Sequence, residues 1–208
     1  MTPRSHRVVP LIIAALALSA CGSAGAAADA TAPGKLAIVA SFYPLQYATQ
    51  QIGGDFVAVT SLTKPGAEPH DIELTPRDVA SVSKARLVVF EKGLQGAVDK
   101  AVQSQAGARA LDVAPAAKLN LSLAPGTTDP HFWLDPQRYS EVARAIADRL
   151  ARVGPAHRAA FERNARTFED HLAALSGEPQ TRRAPWQRRV TVTSQAHRSH
   201  TAPHYATG

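Results

Sequence analysis

The sequence contains a single cysteine, Cys21, and that scarcity sets the first limit. With no second thiol there is no disulfide framework, and the body of the chain has no thiolate for metal binding or nucleophilic attack. Any metal site must therefore use His, Asp or Glu. Acidic residues are missing from the last 28 positions, which hold Arg182, Arg183, Arg188, Arg189 and Arg198. The formal net charge of +6 is thus a property of the ends. Without those five arginines and without Arg4 and Arg7, 16 basic residues stand against 17 acidic ones. A face that tracks phosphates should belong to the fold, so no nucleic-acid partner is expected. Hydrolytic signatures are missing as well. There is no HExxH, no G-x-S-x-G elbow and no carboxylate-rich cluster suited to two metals. No apolar run reaches the ~20 residues of a spanning helix.

What is present begins with a leader. Arg4 and Arg7 precede an apolar run from Val8 to Leu18, and small residues lead to Cys21. That is the layout of an export signal. "LSAC" (Leu18 to Cys21) resembles a bacterial lipobox, which makes residues 1–21 a lipoprotein signal peptide and Cys21 the lipid attachment point. Residues 22–34, "GSAGAAADATAPG", are small and aperiodic and read as a flexible tether.

The chain then alternates. "KLAIVASF" (35–42), "FVAVTSL" (56–62), "RLVVFE" (86–91) and "ARALDVA" (108–114) read as strands. Helices are expected at 44–55, at 75–85 with Thr75 as N-cap and Pro76 behind it, and at 94–105. Strands alternating with helices give an α/β fold with a mainly parallel four-stranded sheet covered on both faces. Two longer helices follow. One spans 135–154, capped by Asp135 and Pro136, and one spans 155–177, ending at Gly177. Beyond Gly177 no helical stripe is visible, and most of the segment is expected to be disordered. The organisation expected is an N-terminal lobe over 35–154, a long linking helix over 155–177 and a tail over 178–208.

Ligands of open parallel sheets bind outside the carboxyl ends of the strands. His70, in "PGAEPHDIEL" (65–74), lies in the loop leaving the second strand. His131, in "TTDPHFWLDP" (127–136), stands between Asp129-Pro130 and the pair Phe132-Trp133. The aromatic pair can anchor that loop while the imidazole points into a cleft. Asp71 or Asp129 is a candidate acceptor for fixing a ring tautomer. His157 and His171 read as surface or boundary residues. From the residues alone, His70 and His131 either converge as metal ligands or serve as one capping and one solvated histidine.

The segments "SFYPLQYATQQIGGD", "PGAEPHDIELTPRDVASVSKARLVVFEKGLQ", "DPHFWLDPQRYSEVARAIADRL" and "FERNARTFEDHLAAL" resemble the metal-binding solute receptors of bacterial ABC importers, the ZnuA-like and TroA-like family (cluster A-I). "EPHDIELTPRD" and "DPHFWLDP" carry most of that likeness. The resemblance implies two α/β lobes joined by a long helix, with the ion buried between them. It places the first ligand on His70 and the second on His131. It implies a non-enzymatic receptor, lipid-anchored on the outer face of the cell membrane, or on its periplasmic side in a Gram-negative cell. That receptor delivers zinc, with manganese as the alternative, to a permease and its ATPase. Related receptors also act as surface adhesins, a role the residues do not separate from transport. An exported metallohydrolase is the third reading.

Three departures stand out. The stretch between the ligands, "APAAKLNLSLAPGTTD" (114–129), has no histidine, whereas zinc members often carry a His-rich loop there. The third-ligand motif is altered in "VTVTSQAHRSHTAPHY", where Gln195 follows Thr193 and Ser194, so His197 or His200 becomes the candidate. The second lobe, with the fourth ligand, is not found. The 178–208 segment, whose last 28 residues lack acids, therefore reads as a truncated or out-of-frame end, and metal binding weaker than that of a full receptor is expected.

Overall fold

The structure is a computed structural model and describes residues 34–124 and 126–183. The leader, the tether, Cys21, His197 and His200 lie outside the described residues.

Four parallel strands form the sheet, in the order β2-β1-β3-β4. They are β1 (Leu36–Ala40), β2 (Val57–Ser61), β3 (Leu87–Phe90) and β4 (Ala110–Asp112). Side chains alternate across the pleat, and the burial shows where each face goes. Ile38, Ala40, Leu87 and Val89 enter one core with α1 (Tyr43–Gly53), α5 (Pro136–Val153) and α6 (Arg158–Arg183). Val39, Val88 and Phe90 enter the other with α2 (Pro76–Lys84) and α3 (Gly96–Ala101). Both faces are covered, which is why these strands read as continuous apolar runs.

The order has a functional consequence. From β1 the chain moves outward to β2, then crosses back to β3 on the other side of β1. The loops leaving β1 and β3 therefore diverge and open a crevice at the carboxyl edge of the sheet.

The caps hold as expected. The Thr75 hydroxyl accepts from the Asp78 N–H, and the Asp78 carboxylate accepts from the Thr75 N–H at 2.8 Å, a reciprocal capping box before Pro76. Asp135 Oδ1 accepts from the N–H groups of Gln137 and Arg138 ahead of α5. Gly53 permits close approach, because a Cβ there would lie 2.3 Å from Val57 Cγ2.

Several details differ from expectation. The helix expected at 94–105 is α-helical only over Gly96–Ala101 and then widens into a π-turn over Val102–Ala106. Gly107, at φ +51°, ends it. Gly177 does not stop α6, which runs on to Arg183, because a single glycine inside a long helix costs only about 1 kcal/mol. The stretch 114–129 contains α4 (Ala114–Ala117) and a small antiparallel hairpin of β5 (Ser122–Ala124) and β6 (Thr127–Thr128).

Candidate metal centre at the carboxyl edge of the sheet

His131 sits on a shelf built from the core. Phe132 is fully buried and packs edge-on against Trp133 and Tyr139, with ring centroids 5.5 and 5.8 Å away. Trp133 in turn meets Phe42 at 5.1 Å and the His131 ring at 5.1 Å. Asp129, wholly buried, completes the shelf. Its Oδ1 accepts the backbone N–H of His131 at 3.0 Å and faces His131 Nδ1 at 2.6 Å. A carboxylate oxygen accepts, so Nδ1 carries the proton, and in the neutral ring Nε2 is then the nitrogen that can ligate.

His70 comes from the long connection between β2 and α2. Its side chain is 42% exposed. The ring centroid lies 5.7 Å from that of His131, with the planes inclined at 61°. The two histidines that sequence places 61 positions apart thus meet at one edge. Glu68, rather than Asp71, is the carboxylate beside His70: its Oε1 accepts the His70 N–H at 3.3 Å and lies 3.9 Å from Nε2. Asp71 is exposed. Of the two tautomer-fixing candidates, Asp129 has the required geometry, because it lies two residues before its histidine on a buried turn. His171 is exposed, and His157 stacks on Phe56 at a centroid distance of 4.0 Å.

His70 also lines a cavity of about 930 Å³, together with Glu91, Lys92, Lys118, Asn120 and Thr128. Glu91 follows β3 directly and is almost fully buried. Burial, reinforced by the nearby charges of Asp112 and Asp129, pushes its carboxyl up to about 8, so it is largely protonated at neutral pH. Its Oε2 has no hydrogen-bond partner among the described residues. Nothing local marks this group in the sequence, since one glutamate after an apolar run reads as a solvated strand end. The available signal was its place at the carboxyl edge.

Arg138 braces the far wall of the cavity. Its guanidinium donates to Asp135 Oδ2 at 3.2 Å, to Asn120 Oδ1 at 2.8 Å and to the carbonyls of Ala117 and Lys118. The described residues contain no group of three or more His, Cys, Asp or Glu side chains placed to hold a metal ion. What they bring together is one histidine pair.

Known proteins resemble this chain in sequence and in fold. The iron-binding protein YfeA of Yersinia pestis is 30% identical over 183 residues, which cover 82% of this chain and 57% of that protein. The manganese ABC transporter substrate-binding lipoprotein scaA of Streptococcus gordonii is 28% identical over 201 residues, with 90% and 64% covered. The crystal structure of Zn(II)-bound AdcA from Streptococcus pneumoniae superposes with a TM-score of 0.74 at 28% identity, covering 83% of this chain and 38% of that one. The chain spans about three fifths of the length of the curated relatives it matches. A family model matches residues 38–207, and so continues through the arginine-rich segment expected to be aberrant. By that match the chain belongs to the ZnuA family, described as zinc-uptake complex component A, periplasmic.

Proposed function

We propose that this chain captures a divalent transition-metal ion outside the cytoplasm, zinc foremost, and hands it to the permease and ATPase of an ABC importer. One observation carries the reading: His70 and His131 converge at the carboxyl edge, and Asp129 holds Nδ1 of His131, which favours the tautomer that ligates through Nε2. Two imidazoles on one tetrahedral zinc, each with Zn–N of about 2.0–2.1 Å, place their ring centroids roughly 5 Å apart. The 5.7 Å seen here needs only a small closure. Imidazole nitrogen suits zinc better than manganese, which favours oxygen donors. Manganese stays as the second cargo because the 114–129 stretch has no histidine.

Zinc in a closed site takes about four ligands. The others are assigned to residues beyond those described, with His197 or His200 as the third. Cys21 carries the lipid that holds the protein at the membrane. The family is one of transport components, so no hydrolytic role is proposed.

The test is titration of the purified protein with Zn²⁺ and Mn²⁺ against a competing chelator. One equivalent should bind, zinc more tightly than manganese but more weakly than in a full two-lobe receptor, and both His70→Ala and His131→Ala should abolish it. Zinc uptake by the protein that is indifferent to both substitutions would remove the proposal.

A further inference from the structure

His70 has little of its own to hold it in place. The connection over residues 62–75 contains no helix or strand, and the local contacts of His70 go to an exposed glutamate. Exposed contacts of that kind contribute little. Yet the ring must stand opposite His131 if the two are to share an ion.

We infer that Gln95 is the positioning residue for His70, clamping the loop that carries it onto the start of α3. Gln95 is 1% exposed. Its Nε2 donates to the Pro69 carbonyl at 2.7 Å and to Thr63 Oγ1 at 3.0 Å. Pro69 immediately precedes His70, and Thr63 stands where the same connection leaves β2. Thr63 is itself fixed: its hydroxyl donates to the Ser41 carbonyl at 2.8 Å, and its N–H reaches the same oxygen at 3.1 Å. One continuous chain of hydrogen bonds therefore ties the exits of β1, β2 and β3 together.

The chemistry dictates which way the amide points. The Pro69 carbonyl can only accept, and the Thr63 hydroxyl proton is already directed at Ser41, so both partners present lone pairs. Only the NH₂ end satisfies them. This leaves Gln95 Oε1 buried with no hydrogen-bond partner among the described residues. An orphaned buried acceptor costs about 1–3 kcal/mol. A methionine would fill the same space without that cost, so packing does not explain the glutamine, and the two donated bonds do.

The inference rests on the metal reading above, and its test separates the two. Gln95→Met keeps the volume and removes both donors, while Gln95→Glu keeps the shape and sets a carboxylate against the Pro69 carbonyl. In the full protein, both should weaken Zn²⁺ binding roughly 10- to 100-fold, the usual range for residues that orient a ligand. In the metal-free protein, amide exchange over residues 67–71 should accelerate and the His70 ring signals should shift, while those of His131 stay in place. Unchanged exchange and His70 signals overturn the clamp. So does wild-type zinc affinity with a loosened loop, and so does equal movement of the His131 signals, which marks general damage. A parent protein that binds no zinc overturns the proposed function instead, and the clamp is then judged on exchange and ring signals alone.

Discussion

His131 and His70 face each other from unlike supports. His131 is 8% exposed and stands on Phe132, Trp133 and Asp129, all part of or pressed against the main core. His70 rides an exposed stretch of loop, tied before it at Thr63 and Pro69 and after it by Ile72 and Leu74 against the second core. One half of the pair is built by folding itself, whereas the other is added by a few hydrogen bonds. Under the proposed capture and release of an ion, this asymmetry means that only the weaker side has to move.

The comparison can be broken at its strong side first. Phe132→Ala should cost about 3–5 kcal/mol in urea unfolding, because it empties a fully buried aromatic site beneath His131. A loss below about 1 kcal/mol would show that the shelf is not part of the core. The second effect concerns pH. The carboxyl of Glu91 has a folded-state value of about 8 against an ordinary 4.5. The folded chain therefore holds an extra proton between those values, and stability from this group is full below pH 4.5 and lost as pH rises through 8. Relative to wild type, Glu91→Gln should gain about 2–4 kcal/mol between pH 4.5 and pH 9, read from unfolding midpoints. Parallel pH profiles would refute this.

Asp129→Asn should weaken zinc binding about 10- to 100-fold by loosening the His131 ring, as chelator competition would show. The smallest effect belongs to Asp71→Ala, which should leave zinc affinity and stability unchanged to within about 0.5 kcal/mol. A larger shift there would mean that the Asp71 carboxylate itself helps to hold the His70 loop.

Much of the lobe is legible in the sequence because its signals are local. Four apolar runs, the Thr75-Pro76 and Asp135-Pro136 caps and the helical stripes of α5 and α6 announce themselves within a few residues. The histidine pair was half legible: the residues assign both loops to one sheet edge, and the family resemblance, not the loop placement, favoured their meeting there. What stayed hidden depends on distant packing. Glu91 and Gln95 look like ordinary polar residues at an element boundary, and only the fold buries them. The helix end at Arg183 was missed because Gly177 is a stop signal only when the following residues cannot continue the helix. Asp71 drew attention by adjacency, but an exposed neighbour in sequence has no geometric claim on the ring.

The order in which the cover arrives has a kinetic consequence. The last strand of the parallel sheet ends at Asp112, but the core under α1 is closed only when α5 and α6 dock, with buried side chains as late as Leu172. Two ties make the delay concrete. The Tyr139 hydroxyl donates to the Pro44 carbonyl, and Asn164 Nδ2 donates to the Ile52 carbonyl 112 residues away. At roughly 5–20 residues per second, a chain emerging amino end first shows its four bare strands for about 3–12 s before α6 is available. Parallel pairing is slow in any case. For that interval the nascent chain is a client for whatever shields unfolded polypeptides, and its apolar strands should dominate that encounter.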